Sequence, residues 1–414
     1  MSPRHFSWML KSCFPKRQQP HQPGPISSAA AVATAAAPAP ATAISSLPDD
    51  LVLEILVRVP FSTLARLPSV CRRWAYLLNS SAFLTLRRRN EVLIQALFSI
   101  SVTDSAIYAA VLRLDLECDW NVSSFVPWKD NSRRPVPALL MFSHFRLVSV
   151  GRKVYIVAAE GILRCDTWTG TLASKAAMAI PRKKFAAAAV AGKILVAGGS
   201  DHSSAVEEYD PVTNSWRVVS ESPRRRYGCI GASADGVFYV VGGLKIGQPS
   251  GNDVRPAAEA AHVYASSMDL YDVAAGVWLR SRTVPGGGCV MAACAADGDV
   301  YVLSSHAVEL SFWRFTGSRR NPRFGEWRRI KNPPLPRQVS LDGRVRFSCV
   351  GVGKAVLMVQ LGSCIDDLLR RSGRSARGFR DGLVLLYDCA ADKWTRVPDL
   401  PELMRRAACV CVEC

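Results

Sequence analysis

The feature that most constrains this chain is a string that recurs along it. Tyr209-Asp210 is followed by Trp216, Tyr271-Asp272 by Trp278, and Tyr387-Asp388 by Trp394, each time with the tryptophan six residues after the aspartate. Two glycine pairs, Gly198-Gly199 and Gly242-Gly243, each follow an apolar run and precede one of these strings. The pairs are 44 residues apart, with four strand-like runs per interval. A unit of that length cannot bury its own apolar face. Stacked around an axis, several such units share a core, which is the architecture of a β-propeller. With 414 residues and 49% apolar composition, the chain is long enough and apolar enough for such a ring plus a smaller module.

Weaker units end at Trp168 and Trp327 and lack the glycine pair, so five units end at Trp168, Trp216, Trp278, Trp327 and Trp394. A sixth is assembled from both ends of the ring. The runs Glu91–Ser99 and Ala106–Leu116, then Trp120, supply its second, third and fourth strands, and Ala407–Glu413 supplies its first. That pairing closes the ring and removes its open edges. An apolar run, a glycine pair, Tyr-Asp and Trp in this order resemble kelch repeats. Residues Gly198, Gly199, Tyr209, Trp216, Gly242, Gly243, Tyr271, Trp278, Tyr387 and Trp394 are then expected to be structural. The glycines would sit where a β-carbon does not fit, and the aromatic residues would pack the blades. No Lys-Ser/Thr and no helical pattern follows either glycine pair, which argues against a phosphate-cradling loop.

Residues 1–43 contain no Asp or Glu and only four Lys/Arg, and they run into an Ala/Pro/Ser tract. Such a composition is expected to form a disordered tail, and it shares features with an organellar transit peptide. Order begins at Leu47-Pro48-Asp49-Asp50, where the proline and two acids suit a helix first turn. Leu51, Ile55 and Val59 share one stripe with Val52 and Leu56 beside it, and Pro60 stops the helix. Further short helices are expected over Ser62–Leu67 and Val70–Leu78. Three short helices cannot enclose all of these apolar groups, so a partner surface is implied.

The string LPDDLVLEILVRVPFSTLARLPSVCRRWAYLLNSSAF resembles an F-box. The resemblance implies docking on a Skp1-like adaptor, and through it on a cullin and a RING protein of an SCF-type ubiquitin ligase. The residues expected to make that contact, or to form the module's own small core, are Leu47, Pro48, Leu51, Ile55, Val59, Pro60, Leu64, Leu67, Val70 and Trp74. An F-box followed by kelch repeats resembles the plant F-box/kelch proteins. The expected layout is a tail over 1–43, a small all-α F-box over 44–90, and an all-β six-bladed kelch-type propeller over 91–414, closed by its terminal strands.

The chain carries 52 Lys/Arg against 34 Asp/Glu, a formal net charge of +18. Blade strands run alternately up and down, so loops joining strands two and three share one face, here called the far face, with those joining blade to blade. Both long insertions, Leu244–Ser267 and Leu361–Asp381, fall on it, and so by this division does most of the charge excess. Arg182, Arg224, Arg225, Arg226, Arg328 and Arg329 are the candidate contacts to an acidic or phosphorylated protein target. The F-box joins the ring at the start of a second strand, which places the adaptor on the opposite, near face.

The expected role is therefore that of a non-catalytic substrate receptor in the cytoplasm or nucleus, with no cofactor and no metal. Two alternative roles make different demands on the sequence. A propeller oxidase would need a metal cluster, but His144, His202, His262 and His306 share no ligand spacing. A nucleic-acid binder would use the basic face, but no reader helix or aromatic-interleaved basic strand is present. No stretch is long and apolar enough for a membrane helix. The odd cysteine count of 13, with Cys229, Cys349, Cys409 and Cys411 in apolar runs, points to core thiols in a reducing compartment. Cys411-Val-Glu-Cys414 fits C-x-x-C and, loosely, a prenylation box, but Glu413 stands where an aliphatic residue is required, no second Cys pair is nearby, and the expected closing strand buries these residues.

Overall fold

The computed structural model describes residues 44, 46–64, 66–102, 107–114, 119–125, 145–159, 161–167, 172–246, 264–306, 309–321, 323–335, 346–362, 382–404 and 407–413. The expected tail, Trp168, His144, His262, Cys414 and most of both insertions lie outside them. The chain divides into two compact units, with the boundary between Leu93 and Ile94.

The first unit is helical. Helix α1 spans Asp49–Val57, α2 Phe61–Leu64, a 3-10 turn Leu67–Ser69, and α3 Arg72–Leu78. Pro48 precedes α1 in an extended conformation, and Asp49 and Asp50 occupy the first turn, where the helix dipole favours them. The third helix starts two residues later than its apolar pattern suggests, because the Cys71 side chain acts as its cap: Cys71 Sγ accepts from the Trp74 amide at 3.4 Å. A fourth helix, α4, spans Ser81–Arg89, a segment not expected to be helical. Ser80 caps it by accepting from the Phe83 amide at 3.2 Å, and Arg87, Arg88 and Arg89 fill its last turn. Helix α4 supplies Phe83 to a core made with Val52, Leu53, Leu56, Val57, Leu64, Leu77 and Leu78. Arg87 is buried beside it and donates to the carbonyls of Val57 (3.2 Å) and Val92 (2.5 Å), groups that helix and strand bonding leave open.

The second unit is a ring of six four-stranded antiparallel blades. Blade 1 runs Ala408–Glu413, Gln95–Val102, Ile107–Arg113, Asn121–Phe125, from the innermost strand outward. Blade 2 is Arg146–Val150, Lys153–Ala158, Gly161–Asp166, Leu172–Lys175, and blade 3 is Ala186–Val190, Lys193–Ala197, Ala205–Asp210, Ser215–Glu221. Blade 4 is Ile230–Ala234, Val237–Val241, Ser267–Asp272, Val277–Trp278, with Arg282–Thr283 pairing its third strand. Blade 5 is Cys289–Ala296, Asp299–His306, Glu309–Phe315, Trp327–Ile330, and blade 6 is Arg346–Val352, Ala355–Leu361, Val384–Asp388, Lys393–Val397. The innermost strands adjoin one another in cyclic order, the last returning to the first.

The ring therefore closes as expected, with Gln95 opposite Glu413 and Ile100 opposite Ala408. The final strand of blade 2 begins at Leu172, beyond Trp168: Leu172, opposite Cys165, occupies the place that Trp takes elsewhere. Second strands such as Val237–Val241 are buried along their whole length, because neighbouring blades cover both sheet faces. Tight turns between first and second strands carry pairs with positive φ, Asp235-Gly236 and Asp297-Gly298, a backbone whose twist matches an antiparallel hairpin.

Candidate interaction surfaces

The helical unit buries one side of α1 and leaves another bare. Val52, Leu53, Leu56 and Val57 point into the core, whereas Leu51 and Ile55 are 51% and 46% exposed. Pro48, Pro60 and Val70 are also exposed, and Leu47, Val59, Leu67 and Trp74 are half-buried against the core. Leu64 is fully buried, so it belongs to the module's own interior and is not available for contact. Tyr76, which the sequence pattern did not single out, is 73% exposed. Arg73 fixes the start of this surface, bonding Asp49 Oδ1 from Nε at 2.7 Å.

In the propeller, the recurrent residues form a repeated bond network. Tyr209 faces Trp216, Tyr271 faces Trp278 and Tyr387 faces Trp394 across adjacent strands, with ring centroids 5.2, 5.1 and 5.0 Å apart. Each indole N–H then crosses to the preceding blade. Trp216 donates to the Ala176 carbonyl (2.9 Å), Trp278 to Ser220 Oγ (3.0 Å) and Trp394 to the Lys331 carbonyl (2.8 Å). Trp120 repeats this across the closure, donating to the Pro398 carbonyl at 2.9 Å. The aspartate after each tyrosine caps the following turn. Asp210 accepts from the Val212 and Thr213 amides, and Asp388 from those of Ala390 and Ala391. These amide bonds hold both carboxyls below the usual aspartate pKa. Tyr209 and Tyr387 donate to Asn214 and Asp392 in the same turns, and burial raises both phenols.

The first glycine of each pair is pressed by the next blade and the second by the entry segment of its own blade. A β-carbon on Gly198 would lie 2.7 Å from the Arg226 carbonyl, and one on Gly199 2.5 Å from that of Lys183. On Gly242 and Gly243 it would meet Val290 and the Tyr227 carbonyl, each at 2.9 Å. All four residues have positive φ.

The far-face arginines divide in a way that the sequence did not reveal. Arg182 and Arg226 were expected to be exposed, but they are 1% and 0% exposed. Arg182 bonds Glu207 from Nε and Nη2 at 3.1 and 3.0 Å, and the carbonyls of Gly198 and Ala205. Arg226 does the same one blade later, bonding Asp269 at 2.9 and 2.8 Å and the Gly242 and Tyr264 carbonyls. Both are therefore internal struts and cannot reach a target. Their acid partners Glu207 and Asp269 each stand two residues before a repeat tyrosine, and that spacing was the available signal.

Arg328 and Arg329 are exposed, but they are on the outermost strand of blade 5, opposite Arg314 and Trp313, and not in a far-face loop. Arg225 is exposed on the far face and reaches the Asp201 carbonyl, while Arg224 is part-buried against Ser267 Oγ. The assignment of loops to faces is visible directly. Arg226–Tyr227, from a blade-to-blade loop, pairs as a ribbon with Leu244–Lys245, from a loop between strands two and three.

Among the described residues no His/Cys/Asp/Glu cluster has metal-holding geometry. His202 is exposed beside Asp201. Cys165, Cys229, Cys294 and Cys349 are buried free thiols, and burial pushes Cys165 up to about 12. Cys411 pairs opposite Leu97 in the closing strand. No helix among the described residues is long and apolar enough to cross a membrane.

These features define a six-bladed propeller of kelch type carrying a helical F-box module. The F-box domain family matches residues 44–86, and the kelch motif family matches residues 181–223, which contain blade 3. An F-box/kelch-repeat protein of Arabidopsis thaliana is 55% identical over 99% of this chain and 98% of its own length. A second from the same plant is 26% identical over 58% of this chain and 61% of its own, and Kelch-like protein 36 of Mus musculus is 26% identical over 56% and 34%. The chain belongs to the plant F-box/kelch-repeat family.

Proposed function

We propose that this protein is the substrate receptor of an SCF-type ubiquitin ligase. Its F-box docks on a Skp1-like adaptor, which links it to a cullin and a RING protein, and its propeller holds the protein to be ubiquitinated. No residue of the chain performs chemistry. The receptor acts by raising the concentration of target lysines near a charged ubiquitin-conjugating enzyme. Such a machine works in the cytoplasm or nucleus.

The observation that carries this reading is the bare apolar side of the helical unit: Pro48, Leu51, Ile55, Pro60 and Val70 are exposed although the core beside them is complete. A partner surface explains why apolar groups stay in water there. The test is a pull-down of the full chain with purified Skp1-type adaptor. Covering a Leu or Ile side chain contributes about 1.5–3 kcal/mol, so Leu51→Asp with Ile55→Asp is expected to weaken adaptor binding by roughly 100-fold or more. Both positions are outside the core, so the thermal transition should stay where it is. Undiminished adaptor binding would refute the reading.

A further inference from the structure

Among the described residues, the far-face mouth of the central channel holds positive charge that the internal ion pairs do not neutralise. Arg146 is the first residue of the innermost strand of blade 2 and pairs opposite Val157, near the far-face end of the second strand. Arg346 opens the innermost strand of blade 6 and pairs opposite Leu361, at the corresponding end. Arg146 leans toward blade 3, donating from Nε to the Phe185 carbonyl at 2.8 Å with its guanidinium 6.0 Å from the Phe185 ring centroid.

Burial and two further neighbours act on its charge. Burial lowers the Arg146 pKa, Cys229 of the entry to blade 4 opposes that shift, and Arg346 of blade 6 adds to it. Both arginines open innermost strands, the strands that line the ring axis. Cys229 supplies no countercharge, because burial raises its thiol pKa and keeps it protonated at neutral pH. Among the described residues no carboxylate pairs with Arg146 or Arg346, and no acceptor engages the Arg146 Nη groups. Lys184, which stacks over the Tyr227 ring at 5.3 Å, adds a further cation to this face.

By contrast Arg182 and Arg226, on the same face, each hold a buried acid. A charge that is half-buried, held by its Nε and stacked on an aromatic ring has lost much of its hydration and little of its field. Its open fork suits a two-oxygen anion.

We propose that Arg146, with Arg346, forms an anion-binding site at the far-face mouth of the channel, into which an acidic group of the bound protein inserts. The proposal rests on the receptor reading for the identity of its ligand, but the site itself does not depend on the F-box.

The test uses the full chain and two fluorescein-labelled probes in anisotropy titrations: a hexaglutamate peptide, and a neutral hexapeptide bearing one phosphoserine. The two probes distinguish carboxylate from phosphate as the source of the anion. At least one is expected to bind, more weakly as salt rises. Arg146→Met keeps the stem over Phe185 and should weaken that probe at least tenfold, with Arg146→Lys falling between. Arg346→Ala, at an exposed position, should weaken it several-fold without altering the thermal transition. Arg329→Ala, on the outer strand of blade 5, should change it less than twofold.

Failure of both probes to bind, or an equal loss in Arg329→Ala and Arg146→Met, would overturn the site. Leu51→Asp with Ile55→Asp should leave probe binding intact, so failure of the adaptor reading and failure of the anion site are read separately.

Discussion

Blades 4 and 5 solve the same packing problem in opposite ways. In blade 4 the third-strand position two before the repeat tyrosine is Asp269, which meets the buried Arg226 of the entering segment. In blade 5 the corresponding position is Trp313, two before Phe315, and the segment entering that blade is Gly286-Gly287-Gly288. Phe315 still faces Trp327, at 4.9 Å between ring centroids, so the aromatic pair survives while the ion pair is gone. A β-carbon on Gly286 would lie 3.8 Å from the Trp313 ring, so the indole fills space that blade 4 gives to a guanidinium. Arginine with acid has been exchanged for glycine with tryptophan. A buried ion pair is therefore one way to lock an entry segment onto its blade, not a requirement of the ring.

The sharpest way to break this contrast is to remove one member of the pair. Asp269→Ala leaves Arg226 buried without its countercharge and is expected to cost about 3–5 kcal/mol in urea unfolding. The double change Arg226→Met with Asp269→Leu imitates the apolar solution and should recover most of that loss. If the double variant is as unstable as the single one, blade 4 depends on the ion pair itself and the equivalence of the two blades is wrong.

A smaller effect separates the tryptophans. Trp216→Phe keeps a ring against Tyr209 but deletes the bond to the Ala176 carbonyl, for an expected loss near 1 kcal/mol. The Trp313 indole N–H is buried and has no partner among the described residues. Trp313→Phe should therefore cost less than Trp216→Phe, and the opposite order in thermal melts would show that Trp313 contributes more than filling.

The smallest effect concerns pH. The carboxyls of Asp210 and Asp388 titrate below their unfolded value, so the stability they contribute is complete above the ordinary aspartate pKa of about 3.9 and is lost as pH falls through the lowered folded values. The stability gap between the natural chain and Asp210→Asn with Asp388→Asn should be level near neutrality and shrink in acid. A gap that widens in acid would contradict the capping role.

Much of the ring was legible because its signals are local. Tyr-Asp and Trp mark the two strands of one hairpin, and counting strands left a vacancy that only Ala407–Glu413 could fill. The fate of the arginines was not legible for the opposite reason. In the run Arg224-Arg225-Arg226 the three side chains are part-buried, exposed and fully buried. What separates Arg226 from Arg225 is Asp269, 43 residues on, beyond a long insertion. Arg328 and Arg329 were misplaced because the outer strand of blade 5 begins at Trp327 and runs through them. Helix α4 was hidden because Ser81–Arg89 carries few apolar residues, and its core contribution rests mainly on Phe83. In the F-box the composition of α1 was clear, but which apolar side faced inward depended on where α3 and α4 lie. Leu64 was for that reason grouped with residues that proved to be exposed.

Closure by the last strand also has a consequence in time. Ser99 meets Cys409 across the closing pair, 310 residues later in the chain. At ribosomal speeds of about 5–20 residues per second, the first propeller strands wait roughly 15–60 seconds for their partner. The core of the helical module lies entirely between Val52 and Phe83, so it can form long before. For that interval an emerging chain can present a finished F-box module without a finished propeller. A ring that shuts only on the Ala408–Glu413 strand leaves every shorter chain with an open blade.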